Sequence, residues 1–128
     1  MNIFEITELK DGVLLPFNEL LKRIDFIPVT RWRFREVTMH SGQPFGLTIV
    51  DFERATSGKD GFTVEADRIS SDLGRDFQMI DGEIDALADR GDVLFTIACL
   101  DSTLWEMRVA DANVAEKLKG QGYERSDS

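Results

Sequence analysis

The chain has 128 residues, with 24 acidic against 15 basic side chains and a formal net charge of -9. That length is one domain, able to bury roughly two-thirds of its unfolded surface without disulfides or metals. The charge repels phosphate backbones and anionic lipid heads, so the expected partner is a basic protein surface and neither nucleic acid nor a membrane.

The opening NIFEI, residues 2–6, reads as a strand. In LLPFNELLKRI, residues 14–24, Leu14, Phe17, Leu21 and Ile24 recur at helical spacing, and Pro16 fits a first turn. RWRFREVTM, residues 31–39, alternates as a strand, with Arg31, Arg33 and Arg35 on one face and Trp32, Phe34 and Glu36 on the other. A turn through HSGQP then leads to FGLTIVDF, residues 45–52, as the strand's hairpin partner. Ser57-Gly58 and Asp60-Gly61 mark a loop. Residues 64–73 form a short helix ending at Gly74.

GEIDALA, residues 82–88, fits a strand or a helix. The turn DRGD after it favours the strand. VLFTIACL, residues 93–100, is the apolar run of a central strand, linked tightly through DST to TLWEMRV, where Trp105, Met107 and Val109 point inward. DANVAEKLKGQG is the last helix, with Asn113 and Glu116 at capping-box spacing and a face of Val114 and Leu118. The fold class is therefore α+β, a single antiparallel sheet with helices near both ends packed on it, over one domain of residues 1–128 with a polar tail at 123–128.

Little here carries reaction chemistry. DGEIDALADRGD, residues 81–92, matches the ligand spacing of a calcium loop, but Ala86 replaces the glycine, Asp92 replaces the bidentate Glu, and a strand comes next. His40 is the only histidine and has no neighbouring triad partner in sequence. Cys99 is the only cysteine and sits in the apolar run, the place of a buried thiol. No phosphate-binding glycine loop, zincin or hydrolase motif occurs. No cofactor, metal or catalytic residue is expected. No signal peptide or membrane-spanning run is read, so the expected location is the cytoplasm.

The charge itself is the most informative feature. From Thr63 to Asp92 nine acids face three bases, nine minus three leaving -6. The candidate partner-binding residues are Asp72, Asp76, Asp81, Glu83, Asp85 and Asp89, a field suited to steering a basic partner. The arginine stripe is expected to pair internally with Glu53, Asp51 or the 81–85 face.

FQMIDGEIDAL, VLFTIACLDSTLWEMRV and VAEKLKGQGYE, taken in order, resemble the small acidic immunity-type proteins of bacterial polymorphic-toxin and contact-dependent inhibition systems. The resemblance lies mainly in the C-terminal half. It implies a cytoplasmic, non-catalytic protein that binds a basic toxin domain and covers its active site or a nearby surface. The rival expectations are a structural or regulatory domain, monomeric or homodimeric through a sheet edge, and a small hydrolase built on His40 or a carboxylate pair.

Overall fold

Alternation along the strands assembles the main layer. In the computed structural model, which describes residues 2–124, Phe4, Met107, Ile97, Ile84 and Phe34 lie opposite one another in neighbouring strands and all face inward. The strands are β1 (Asn2–Ile6), β2 (Leu9–Lys10), β3 (Val13–Leu14), β4 (Arg31–Ser41), β5 (Phe62–Glu65), β6 (Gln78–Leu87), β7 (Val93–Leu100) and β8 (Leu104–Val109). Six of them form one antiparallel sheet in the order β1-β8-β7-β6-β4-β5, and β2 pairs with β3 in a separate hairpin. The helices are α1 (Phe17–Arg23), α2 (Ile49–Thr56), α3 (Ile69–Asp72) and α4 (Ala112–Gly120). The fold is α+β.

One core holds these elements together. Phe17 of α1 packs edge-on against Trp32 and Phe34, and Phe52 of α2 against Phe34 and Phe77. Leu73 beside α3 and Leu118 of α4 are fully buried in the same cluster. The helices therefore cover one face of the sheet, and the other face carries a band of charge. Aromatic residues dominate the core because each removes a large apolar area from water and adds favourable edge contacts.

The structure corrects several expectations. FGLTIVDF is not a strand. Pro44–Gly46 is a 3₁₀ turn, and α2 starts after Thr48, whose side chain accepts a hydrogen bond from the Asp51 amide at 3.1 Å. Phe52 is the buried anchor of that helix, whereas Val50 is exposed. The apolar run thus has helical spacing behind a good N-cap, and the cap decides the outcome.

Residues 64–73 split. Val64 pairs with Trp32 in β5, and only the residues after it are helical. Leu14 belongs to β3 rather than α1, and α1 buries Leu20 beside Phe17. The predicted turn at His40 is the end of β4. The cap of α4 is Asp111, which accepts from the Val114 amide at 3.0 Å, rather than Asn113. Most of the expected polar tail lies outside the described residues. Tyr123, its first residue, packs against the core.

β4 is irregular at its midpoint. Glu36 has φ 51° and the pairing with β6 shifts between Arg35 and Thr38. Glu36 is thereby pushed into solvent, and Val37 takes its inward place. Opposite lies Gly82, where an added Cβ would sit 2.9 Å from the Val37 Cα. A glycine here lets the bulged strand approach closely.

Candidate functional site

Three parts of the molecule gather ionisable groups. The first is the open face of the sheet. Asp85 on β6 is 1% exposed, yet it is fully partnered. Arg33 Nε donates to its Oδ2 at 2.8 Å, Arg35 Nε to the same oxygen at 2.7 Å, and Thr96 Oγ1 to Oδ1 at 2.8 Å. Glu83, two residues back on the same face, accepts from Arg35 at 3.2 Å and Arg108 at 3.1 Å, and Arg108 also donates to Glu106 at 2.7 Å. The band crosses β4, β6, β7 and β8 with three arginines and three carboxylates. Register puts it there, since Arg33, Asp85, Thr96 and Arg108 are directly opposite one another.

Burial alone pushes the Asp85 carboxyl up. The hydrogen bonds from Arg35, Thr96 and Arg33 outweigh it and hold the carboxyl below its ordinary value. Two of the three arginines of the stripe thus pair within the molecule, on the 81–85 face. Glu53 has another role, accepting from the Met39 amide at 2.9 Å.

The six candidate carboxylates do not share one surface. Glu83 and Asp85 are committed to arginines. Asp72 pairs with Arg68 at 2.9 Å on the helical side of the molecule, and Asp76 lies in the loop before β6. Asp89 sits in the β6–β7 turn, where it accepts from Thr30 Oγ1 at 2.7 Å. Asp81 is at the far end of β6, roughly 25 Å away by the strand rise of about 3.3 Å per residue.

The second gathering is the end of the sheet that holds Asp81. Its carboxylate accepts from the Asp101 amide at 2.9 Å, joining β6 to the β7–β8 turn. That turn places Asp101 and Ser102 at φ 49° and 57°, and Ser102 folds back to donate its amide to the Ile80 carbonyl at 2.8 Å. Across a groove of about 700 Å³ stands the β2–β3 hairpin. Its two-residue loop is Asp11-Gly12, with φ 56° and 84°, a sequence suited to a tight hairpin turn. Leu9 and Val13 are 60% and 48% exposed. His40, also exposed, lines the groove between them and Asp101.

This end therefore presents Leu9, Asp11 and Val13 of the hairpin across a groove from Asp101, which Asp81 holds from β6. Exposed apolar side chains near charge are a feature of interaction surfaces. The expectation drawn from sequence named Asp81 here and missed the rest. The signal for the hairpin was present, since Asp-Gly lies between Leu9 and Val13.

The third gathering is a groove of about 780 Å³ between α1 and α3. Its ionisable lining is Lys10, Glu19, Lys22, Asp25 and Arg75. Lys10 and Lys22 both pair with Glu19, at 3.2 and 3.4 Å.

The calcium-like spacing of residues 81–92 is a strand with a turn after it, and Asp85 is buried among arginines. Among the described residues no three His, Cys, Asp or Glu side chains gather as a metal site. Burial pushes the Cys99 thiol up to about 11, so it is no nucleophile at neutral pH. No helix among the described residues is long and apolar enough to cross a membrane. Comparison of the chain with protein-family models, with curated proteins and with solved structures returns no match.

Proposed function

We propose that the chain is a non-catalytic protein-binding module of the immunity type, which covers and neutralises a basic partner such as a bacterial toxin domain. The observation that carries this reading is the end of the sheet where the hairpin with exposed Leu9, Asp11 and Val13 faces Asp101, whose amide Asp81 accepts, across one groove. Leu9 and Val13, on the two faces of the hairpin by register, supply apolar area to bury. The carboxylates supply charge complementarity and accelerate encounter. The net charge of -9 acts over the same distance scale and has the same sign.

The test begins with an affinity capture from source lysate at low and high salt, and then measures association kinetics with the captured protein. Asp81→Asn with Asp101→Asn keeps the acceptor oxygen and the left-handed turn while removing two charges. The association rate is expected to fall about tenfold at low salt, with a shallower salt dependence. Leu9→Ser with Val13→Thr is expected to raise the dissociation rate instead. A partner whose kinetics ignore ionic strength and both double variants would overturn the assignment of this surface.

A further inference from the structure

The chain holds three Asp-Gly dipeptides, Asp11-Gly12, Asp60-Gly61 and Asp81-Gly82. Aspartate before glycine is open to an intramolecular reaction, because glycine puts no side chain in the path between its own amide nitrogen and the preceding carboxyl carbon. The fold treats the three pairs differently.

Asp81-Gly82 lies in β6, inside the six-stranded sheet. Gly82 pairs with Cys99, and it approaches β4 so closely that an added Cβ would sit 2.9 Å from the Val37 Cα. The Asp81 carboxylate is engaged by the Asp101 amide at 2.9 Å. Asp60-Gly61 lies in the turn before β5. The Gly61 amide donates to the Gly58 carbonyl at 3.1 Å, and an added Cβ there would sit 2.6 Å from the Phe34 carbonyl oxygen. In both pairs the peptide plane that must turn is fastened, and freeing it means opening part of the sheet.

Asp11-Gly12 is the two-residue tip of the β2–β3 hairpin. Both residues are exposed, and the space around Gly12 is open. Among the described residues no hydrogen bond holds the Gly12 amide. The ladder behind the tip is only Leu9–Lys10 against Val13–Leu14, and this hairpin is a sheet of its own. A two-stranded ribbon of that size is marginal, so its tip opens at small cost while the rest of the molecule stays folded.

We propose that Asp11 is a site of spontaneous isoaspartate formation in the folded protein. The Gly12 nitrogen attacks Cγ of the protonated Asp11 carboxyl. The N–Cγ bond forms, the Cγ–OH bond breaks, and the amide proton leaves with that hydroxyl as water, giving a cyclic succinimide. Water then adds to one of the two ring carbonyls. Cleavage of N–Cγ restores aspartate. Cleavage between the nitrogen and the Asp11 main-chain carbonyl carbon leaves the chain running through Cγ, one methylene longer, with the former main-chain carbonyl as the free carboxylate. Mass and charge are unchanged overall. The modification does not depend on what binds this end of the molecule.

The test incubates the full chain at physiological temperature in mildly acidic buffer, natively and in urea, and follows each pair by peptide mapping. Asp-N protease does not cut before isoaspartate, and protein-isoaspartate methyltransferase labels it. In the native chain isoaspartate is expected at Asp11 at least about tenfold faster than at Asp60 or Asp81. In urea the three rates should converge, since only the fold separates them. Gly12→Asn keeps a residue suited to a left-handed turn while placing a side chain in the path of attack, and it should slow the reaction at Asp11 several-fold. No isoaspartate at Asp11 in the native chain, or native rates at Asp60 or Asp81 that match the rate at Asp11, would overturn the proposal.

Discussion

Asp85 is the residue on which the open face of the sheet turns. Removing its carboxylate leaves Arg33 and Arg35 side by side on β4 beside Thr96 without their shared acceptor, with only Arg35 still paired, to Glu83. Breaking a buried pair costs about 3–5 kcal/mol, but the two guanidinium groups are about a third exposed, so water recovers part of it. Asp85→Ala should therefore lose about 2–3 kcal/mol in urea unfolding. Because its folded pKa is depressed, the contribution of Asp85 is complete above its ordinary value of 3.8 and is lost as pH falls through the folded value. The urea midpoint should decline with acid below about pH 4, and less steeply in Asp85→Asn. Cys99 gives a second residue-scale prediction. With its thiol buried and pushed up to about 11, Ellman's reagent at pH 8 should react only as fast as the protein opens.

At the scale of elements, α2 completes the sheet. β5 pairs with β4 only from Arg31 to Phe34. Beyond that point the Val37 and Met39 amides face α2, and its side chains take the place of a strand. The Val37 amide donates to Thr56 Oγ1 at 3.0 Å and the Met39 amide to the Glu53 carboxylate at 2.9 Å. Thr56→Val keeps the shape, removes the acceptor and strands a buried amide, so it should cost about 1–3 kcal/mol by chemical denaturation. Thr48→Ala removes the cap of the same helix and should cost about 1 kcal/mol. Gly82→Ala would press on the Val37 backbone at 2.9 Å from a φ of +145° and should destabilise by more than either.

These same elements show what the sequence makes legible. β1, β7, β8 and α4 are visible because apolar runs, alternation or helical spacing mark Phe4, Ile97, Met107 and Leu118, whereas the segment of β6 around Ile84 fits a helix as well and only the DRGD turn after it favours the strand. α2 is misread because Phe45, Leu47 and Ile49 fit a strand period, while Ile49 and Phe52 fit a helical one, and the Thr48 cap separates the two only if it is weighed first. The bulge at Glu36 has no local signature, since it depends on Gly82, far along the chain. At the candidate site, Asp81 is legible as an acid on a strand face. Its hydrogen bond to the Asp101 amide, across the groove from the Leu9–Val13 hairpin, is a product of topology.

For the whole molecule, charge sets the expected behaviour. A chain at -9 repels itself, and the arginine–carboxylate band relieves only part of that. Moderate salt should therefore raise the Tm while slowing capture of a basic partner, two opposite responses to one variable that a thermal melt and a stopped-flow series would display together.

The sheet order also fixes a sequence of events in time. β1 pairs along its whole length with β8, and Trp105 Nε1 donates to the Leu15 carbonyl at 2.7 Å. The first strand and the segment after it therefore find their partners only when the far end of the chain has been made. β4 to β8 close mostly through shorter loops. A nascent chain should thus assemble the middle of its sheet first and hold residues 2–15 in waiting, with the long flank of β8 bare until β1 pairs with it. During that interval, rather than in the finished fold, this protein is most open to mispairing with another copy of itself.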